Sequence, residues 1–385
     1  MIPLSRPDIT QKEKQAVLEV LDSDFLALGP KLKEFEEKIA AYAGTEYAVA
    51  CNSGTSALHM LVKALGIKEG DEVITTPFSF ISSSNCMLYE RARPVFVDID
   101  EHTYNMDTSQ IEAKITSRTK AILPVHVFGQ PVNMDEIKRI ALKHDLAIIE
   151  DSCEAIGSEW KGNKAGHMSD AGVFAFYPNK QMTTGEGGIV VTNNEMISKL
   201  CYSLRNQGRG IESQWLNHVR LGYNYRMSDI SAALGIAQLE RIEEIIARRQ
   251  EVADRYMERL KDVEGIILPT IDERVKMSWF VFVIRFEPWI SRDMVLEILM
   301  ERGVACRPYF TAIHMQPFYK EMFGYKEGDF PVTERVASGT LAIPFFNKIT
   351  EEQIDTVVEE IKRAIRYASI ADSEKRLKRL LEDVN

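Results

Sequence analysis

The sequence predicts an α/β protein: a large domain on a mostly parallel sheet, then a smaller α+β domain at the C-terminal end. Three observations predict it. Short apolar strands alternate with amphipathic helices over about the first 250 residues, the pattern of a sheet covered on both faces. Beyond that point the alternation gives way to a long helix and a few scattered strands. The chain's 385 residues exceed what one small core organises, so two domains, 1–250 and 251–385, are expected.

Taken in order, residues 10–22 and 31–43 read as amphipathic helices. In the second, Leu32, Phe35, Ile39 and Tyr42 recur at helical spacing. Tyr47-Ala48-Val49-Ala50 reads as a buried strand running into Ser53-Gly54-Thr55-Ser56. A helix follows, with Leu58, Leu61, Val62 and Leu65 on one face. Further strands are expected at Glu72–Thr75, Arg93–Asp98, Thr119–Pro124, Leu146–Asp151, Ala171–Phe176 and Gly188–Thr192, with helices at 79–89, 107–114 and 134–144. Heptad-like apolar spacing predicts one helix over roughly 229–262. A strand at Trp279–Phe286, a helix at 292–302, another strand and a helix near 350–368 complete the smaller domain. Ser373–Leu381 reads as a charged, solvated helical cap.

Hydrophobic residues make up 45% and charged residues 27%, an ordinary globular balance. A net charge of -10 offers no general attraction to nucleic acid or an anionic membrane. An anionic substrate would need local Arg, Lys or helix-end donors. MIPLSRPDIT lacks the basic and apolar regions of a signal peptide, and no apolar run reaches the length of a membrane span. Cys51, Cys86, Cys153, Cys201 and Cys306 are scattered without a C-x-x-C pair, so reduced thiols in a cytoplasm are expected. No two of the seven histidines stand at i, i+4, and no metal site is expected.

Four places could carry chemistry. Ser53-Gly54-Thr55-Ser56 sits between strand and helix, where free N–H groups and hydroxyls make an anion site; its plainer reading is a serine cap. In Ile148-Ile149-Glu150-Asp151-Ser152-Cys153-Glu154 two acids end a buried strand, at the sheet edge where ligands bind in open α/β folds, and Glu154 follows. An Asp there can hold a protonated ring nitrogen or simply cap the next helix. Lys180 lies in the turn Phe176-Tyr-Pro-Asn-Lys-Gln-Met-Thr-Thr-Gly-Glu-Gly-Gly188, among non-basic neighbours, where an amine can serve as a nucleophile. A surface-turn lysine is the alternative. Arg205, Arg209, Arg220, Asn224 and Arg226 stud a polar loop that could contact anions or merely face solvent. Together the four supply a phosphate cradle, an acid for a ring nitrogen, an amine and an anion-seeking loop, which is what a pyridoxal phosphate site needs.

The sequence resembles the DegT/DnrJ/EryC1/StrS sugar aminotransferases, of fold type I among pyridoxal phosphate enzymes. SGTSALHM at 53–60, TPFSFISSSN at 76–85, PVHVFGQP at 124–131, EDSCEAIG at 150–157, FYPNKQMTTGEGG at 176–188, RNQGR at 205–209, LGYNYRMSDI at 221–230 and IHMQPFY at 313–319 stand in family order. Within the family, FAFYPNKQMTTGEGG looks most like the perosamine synthases, which aminate C-4 of a GDP-4-keto-6-deoxyhexose. The resemblance implies that Lys180 binds the cofactor covalently, Asp151 pairs with its ring nitrogen and Phe80 stacks on its ring. It implies that Gly54, Thr55 and Ser56 hold its phosphate and that Glu154 lies near its 3-oxygen. Asn224 would reach the phosphate of a neighbouring subunit, so a homodimer with shared sites is expected. His314 would lie near the sugar, and Arg209 and Arg226 are candidates for its anionic part. L-glutamate would give the amino group and leave as 2-oxoglutarate.

Three departures stand out. Ala175 replaces a phosphate-binding Ser common in relatives, Tyr177 replaces a common His, and Glu154 replaces a neutral residue. A carboxylate beside the cofactor's phenolate oxygen would repel it, so Glu154 is expected to hold or share a proton. Two other enzyme readings are amination at C-3 and a sugar dehydratase of the same fold. The dehydratase would carry His in place of Lys180. A third reading is a non-catalytic sensor or scaffold, against which the intact lysine, aspartate and phosphate segment stand.

Overall fold

The computed structural model describes residues 1–210 and 216–382, with side chains through residue 369. Helix α1 (Gln11–Leu21) is opened by Thr10, whose side chain and that of Glu13 cap each other's backbone N–H groups. Helix α2 (Pro30–Ala43) starts with proline in its first turn and stops at Gly44 in the left-handed conformation, φ 80°. There follow β1 (Tyr47–Cys51), α3 (Gly54–Ala64), β2 (Glu72–Thr75), α4 (Ser82–Leu88), β3 (Arg93–Phe96), β4 (Thr119–Ile122), α5 (Met134–His144) and β5 (Ala147–Asp151). A two-residue hairpin, β6 (Glu159–Trp160) and β7 (Asn163–Lys164), precedes β8 (Ala171–Ala175) and β9 (Gly188–Thr192). Helices α6 (Glu195–Arg205), α7 (Asp229–Leu239) and α8 (Ile242–Leu260) come next.

The main sheet has seven strands in the order β1-β9-β8-β5-β4-β2-β3. All run parallel except β9, which is antiparallel to both β8 and β1. The expected mostly parallel α/β sheet is therefore present. Its strands are buried almost throughout, as continuous apolar runs such as Ile148–Ile149 and Ile189–Val191 require. Because β9 runs backwards, its first residue, Gly188, lies at the same edge as Cys51 and Ala175, the last residues of β1 and β8. That edge carries the site.

The C-terminal part contains β10 (Ile266–Ile267), β11 (Val275–Lys276), β12 (Phe282–Phe286), α9 (Arg292–Glu301), α10 (Pro317–Phe323), α11 (Pro331–Gly339), β13 (Thr340–Ile343) and α12 (Glu351–Glu382). Strands β10, β12 and β13 form an antiparallel sheet, while β11 pairs with β6 of the larger unit. The expected division at residue 250 falls inside α8. One apolar cluster runs from Val49 and Val190 through Tyr256 to Phe282 and Ile361, so packing is continuous across it. The N-terminal arm reaches this part too: Ile2 pairs with Val304, and Phe345 N donates to Leu4 O.

Several elements differ from the sequence reading. Residues 107–114 form two 3-10 turns, Thr108–Gln110 and Glu112–Lys114, in place of a helix. The Asp107 carboxylate accepts from Ser109 N and from the Ser109 and Gln110 side chains, and such local bonds compete with helical ones. The single helix expected over 229–262 is two, interrupted between α7 and α8 at Glu240–Arg241. There Arg241 turns away to bind Glu13 and Asp8 of the N-terminal segment. Within Trp279–Phe286, strand pairing begins only at Phe282, because the preceding carbonyls are engaged elsewhere. The helices expected near 350–368 and at Ser373–Leu381 are one continuous α12, and the side-chain role of the latter lies outside the described residues. Among the described residues no helix is long and apolar enough to cross a membrane, and no group of His, Cys, Asp and Glu is arranged to hold a metal ion.

Candidate active site

A cavity of about 500 Å3 opens at the carboxyl edge of the main sheet, between the ends of β5 and β8 and the start of α3. This is where ligands bind in open α/β sheets. Asp151, the last residue of β5, sits in its wall, 4% exposed. Ser83 Oγ donates to Asp151 Oδ2 at 2.6 Å, and the backbone N–H of Cys153 donates to Oδ1 at 3.2 Å. With its own proton given to Asp151, Ser83 accepts from Ser79 Oγ at 2.7 Å. Each carboxyl oxygen of Asp151 is thus met by one hydrogen-bond donor.

Lys180 lies in the loop between β8 and β9. That loop is closed at its neck by Phe176 N to Gly187 O and Thr184 N to Phe176 O, at 2.9 and 3.0 Å. The lysine side chain is only 13% exposed. Its Nζ stands 3.4 Å from Glu154 Oε1 and 3.9 Å from the centre of the Phe280 ring. The second oxygen of Glu154 accepts from the Phe128 N–H at 3.0 Å. Burial pushes the Glu154 carboxyl up from its ordinary value, opposed by Lys180 and by that N–H. The sequence-based expectation that Glu154 holds or shares a proton has this direction.

The third corner is the N-terminus of α3. Ser53 caps it, its Oγ accepting from Ser56 N at 3.1 Å. Gly54 and Thr55 face the cavity, and the Thr55 and Ser82 hydroxyls lie 2.7 Å apart. Gly54 is demanded by space: a Cβ there would come within 2.8 Å of Ala175 Cβ and 3.0 Å of Cys153 Sγ. Ala175 thus closes over the helix start.

Lys180, Asp151, Glu154, Gly54, Thr55 and Phe80 line one cavity. Phe80 is 61% exposed and free to cover a bound ring. Ser56 does not line it; its hydroxyl lies 2.9 Å from that of Ser53, turned into the helix cap. Asn224 also lies off the lining, in a bridge with Asn206, and Arg226 Nη1 donates to Asn206 Oδ1 at 3.0 Å. Arg209 pairs through its main chain with His218. His314, expected near the sugar, is fully buried away from the cavity, with Nε2 3.0 Å from Glu334 Oε1 and its ring against Phe330. Burial pushes its pKa down. Helix α11 brings Glu334 to the imidazole, a contact invisible in the spacing of IHMQPFY.

Sequence reasoning missed Ser79, Ser83, Phe280, Tyr309 and Phe310, all in the lining. The serines lay in the quoted segment TPFSFISSSN, where their helical spacing of four was the available signal. The aromatics come from more than a hundred residues further along, and nothing local announces them.

An amine at one wall, a hydrogen-bonded buried acid at another, a helix N-terminus at the third and room for a substituted pyridine between them fit pyridoxal phosphate. Fold and site define a pyridoxal phosphate-dependent transferase of fold type I. The chain belongs to the DegT/DnrJ/EryC1/StrS aminotransferase family, whose sequence profile matches residues 7–362. It is 37% identical over 361 residues to the GDP-perosamine synthase of Escherichia coli O157:H7, covering 94% of this chain and 97% of that one. Among solved structures it superposes on the pyridoxal phosphate form of the sugar aminotransferase Spr1654 from Streptococcus pneumoniae. The TM-score is 0.91 at 29% identity, covering 95% of this chain and 99% of the other. The same TM-score, identity and coverages hold for PseC of Helicobacter pylori, an aminotransferase of pseudoaminic acid biosynthesis. The chain is a sugar aminotransferase that uses pyridoxal phosphate.

Proposed function

We propose that the chain transfers the amino group of L-glutamate to C-4 of a nucleotide-linked 4-keto-6-deoxy sugar, in a homodimer with shared sites. The observation that carries the site assignment is Lys180, Asp151 and Glu154 in one cavity with the start of α3. The choice of C-4 is supported by the likeness to GDP-perosamine synthases of Escherichia coli and Caulobacter vibrioides, at 37% and 36% identity.

The chemistry that pyridoxal phosphate supplies when bound is an aldehyde that exchanges amines and a cationic ring that takes up an electron pair. This chain's residues do the rest. Asp151, oriented by Ser83 and the Cys153 N–H, would face the cofactor's ring nitrogen. Gly54 and Thr55 receive the phosphate at the helix terminus. Lys180 would hold the cofactor through its amine, and the same amine would carry the proton removed from the donor's α-carbon. Phe80, Phe280, Tyr309 and Phe310 give the cavity its aromatic walls, and water supplies the oxygen of the keto acid released. The donor's C–NH2 becomes C=O in 2-oxoglutarate, and the sugar's C=O becomes CH–NH2.

Charge supports the shared site. Among the described lining residues Lys180 is the lone cation, against Asp151, Glu154 and Glu186. A cofactor phosphate, a sugar diphosphate and a dicarboxylate need more positive charge and more donors than that. Asn224, Arg226 and Arg209 lie outside this chain's own cavity, on a loop that also exposes Leu221 at 75% and Val219 at 52%. In the proposed homodimer that loop would serve the second copy.

The test is a panel of 4-keto and 3-keto nucleotide sugars offered with L-glutamate, read as 2-oxoglutarate released. Turnover confined to 3-keto substrates sinks the C-4 assignment. A protein that sediments as a monomer while fully active sinks the shared site.

A further inference from the structure

Arg249 lies in α8, 3% exposed, and among the described residues no carboxylate stands within ion-pair distance of it. Its partners are main-chain carbonyls: Nη1 donates to Trp279 O at 3.3 Å and Phe280 O at 3.1 Å, and Nη2 to Lys180 O at 3.2 Å. Burial pushes its pKa down to about 10. A buried guanidinium with no carboxylate at ion-pair distance is costly, and a well-packed apolar side chain is often as stable in its place.

What it holds is specific. Phe280 is the ring beneath the Lys180 Nζ, and its carbonyl and that of Lys180 meet on one guanidinium. A second side chain completes the arrangement. Gln181 Nε2 donates to Glu154 O at 2.6 Å and to Ser278 O at 2.9 Å. The three groups that fix the lysine amine are its own backbone, the Glu154 carboxyl and the Phe280 ring. Each has its carbonyl bound by Arg249 or Gln181.

We infer that Arg249 is a positioning residue for Lys180: its fork locks the lysine turn to the segment 279–280, and so sets where the amine stands against Glu154 and Phe280. Arginine suits this because a planar fork reaches carbonyls on two chain segments at once, which an ammonium cannot match. The inference rests on the reading of Lys180 as the cofactor-binding amine.

The test uses full-length protein, Arg249→Met and Arg249→Lys, with two readouts. The first is the rate at which trinitrobenzenesulfonate modifies Lys180 in cofactor-free protein, followed by peptide mass spectrometry. The second is kcat and KM for L-glutamate in the reconstituted enzyme. In Arg249→Met, Lys180 modification is expected to speed up more than about threefold. Its kcat should fall about 100-fold with KM within about twofold, the signature of a misplaced reacting group. Arg249→Lys should recover about tenfold of that loss. Changes below about threefold in both readouts overturn the inference. If Arg249→Met does not fold, Arg249→Lys at an unchanged thermal midpoint decides: a kcat loss above about threefold supports the role, and a smaller one overturns it. Borohydride fixation of pyridoxal phosphate on wild-type protein at a residue other than Lys180 defeats the proposed site itself, a result separable from either outcome for Arg249.

Discussion

Lys180 Nζ and Glu154 Oε1 stand 3.4 Å apart in a cavity wall where both side chains are largely buried. The pair sets an amine, proposed above as the cofactor-binding group, beside an acid whose burial favours the neutral form. On the proposed role of Lys180, Lys180→Ala should keep the fold and lose both the cofactor bond and the proton carrier. Turnover should drop by about 10^3-fold or more, and borohydride should fix no cofactor on the protein. Absorbance and mass spectrometry of the reduced variant check this.

Glu154→Gln keeps an acceptor for the Phe128 N–H and removes the titration. The Glu154 pKa is raised in the fold, so above the ordinary carboxylate pKa the unfolded chain sheds a proton the folded one retains. Its stabilising contribution is full below the unfolded pKa and is lost as pH rises through the folded value. The thermal midpoint of Glu154→Gln minus that of the wild type, in cofactor-free protein, should therefore increase with pH. A flat difference from pH 4 upward to about pH 8 would refute this.

Ser83→Ala strips a buried carboxylate, Asp151, of its 2.6 Å donor. The expected loss is about 1.5–3 kcal/mol, read by urea unfolding, with faster cofactor release on dialysis. Retention of cofactor at the wild-type rate would show that Ser83 does not support Asp151.

Gly54→Ala drives a methyl into Ala175 Cβ and Cys153 Sγ. The cost should be about 1–3 kcal/mol, with weaker binding of cofactor because the first turn of α3 must shift. Adding Ala175→Gly should return most of it. A double variant no better than the single one would place the strain elsewhere.

His314→Ala should lower stability without changing the sugar KM by more than about twofold, because the imidazole is buried against Glu334 and Phe330. The His314 pKa is lowered in the fold, so its contribution is present above the ordinary histidine pKa and lost as pH falls through the folded value. The wild type's advantage over the variant should shrink on acidification, as a thermal-midpoint series would register.

The chain's sequence by itself determined the alternation of strands and helices in the main sheet, since buried parallel strands must read as short apolar runs. It also located Lys180, Asp151 and the Ser53–Ser56 helix start, because strand ends, caps and turns are local events written in adjacent residues. Tertiary structure alone decided the rest. It broke the helix at Arg241, whose charge found Glu13 and Asp8 more than two hundred residues away. It set His314 against Glu334 and brought Phe280, Tyr309 and Phe310 into the cavity that Lys180 lines. It gave Arg249, unremarkable on an amphipathic helix, three carbonyls from two distant segments. The physical reason is one of range: backbone propensity and apolar periodicity act over a few residues, whereas hydrogen bonds and ion pairs join whatever the packed core brings together.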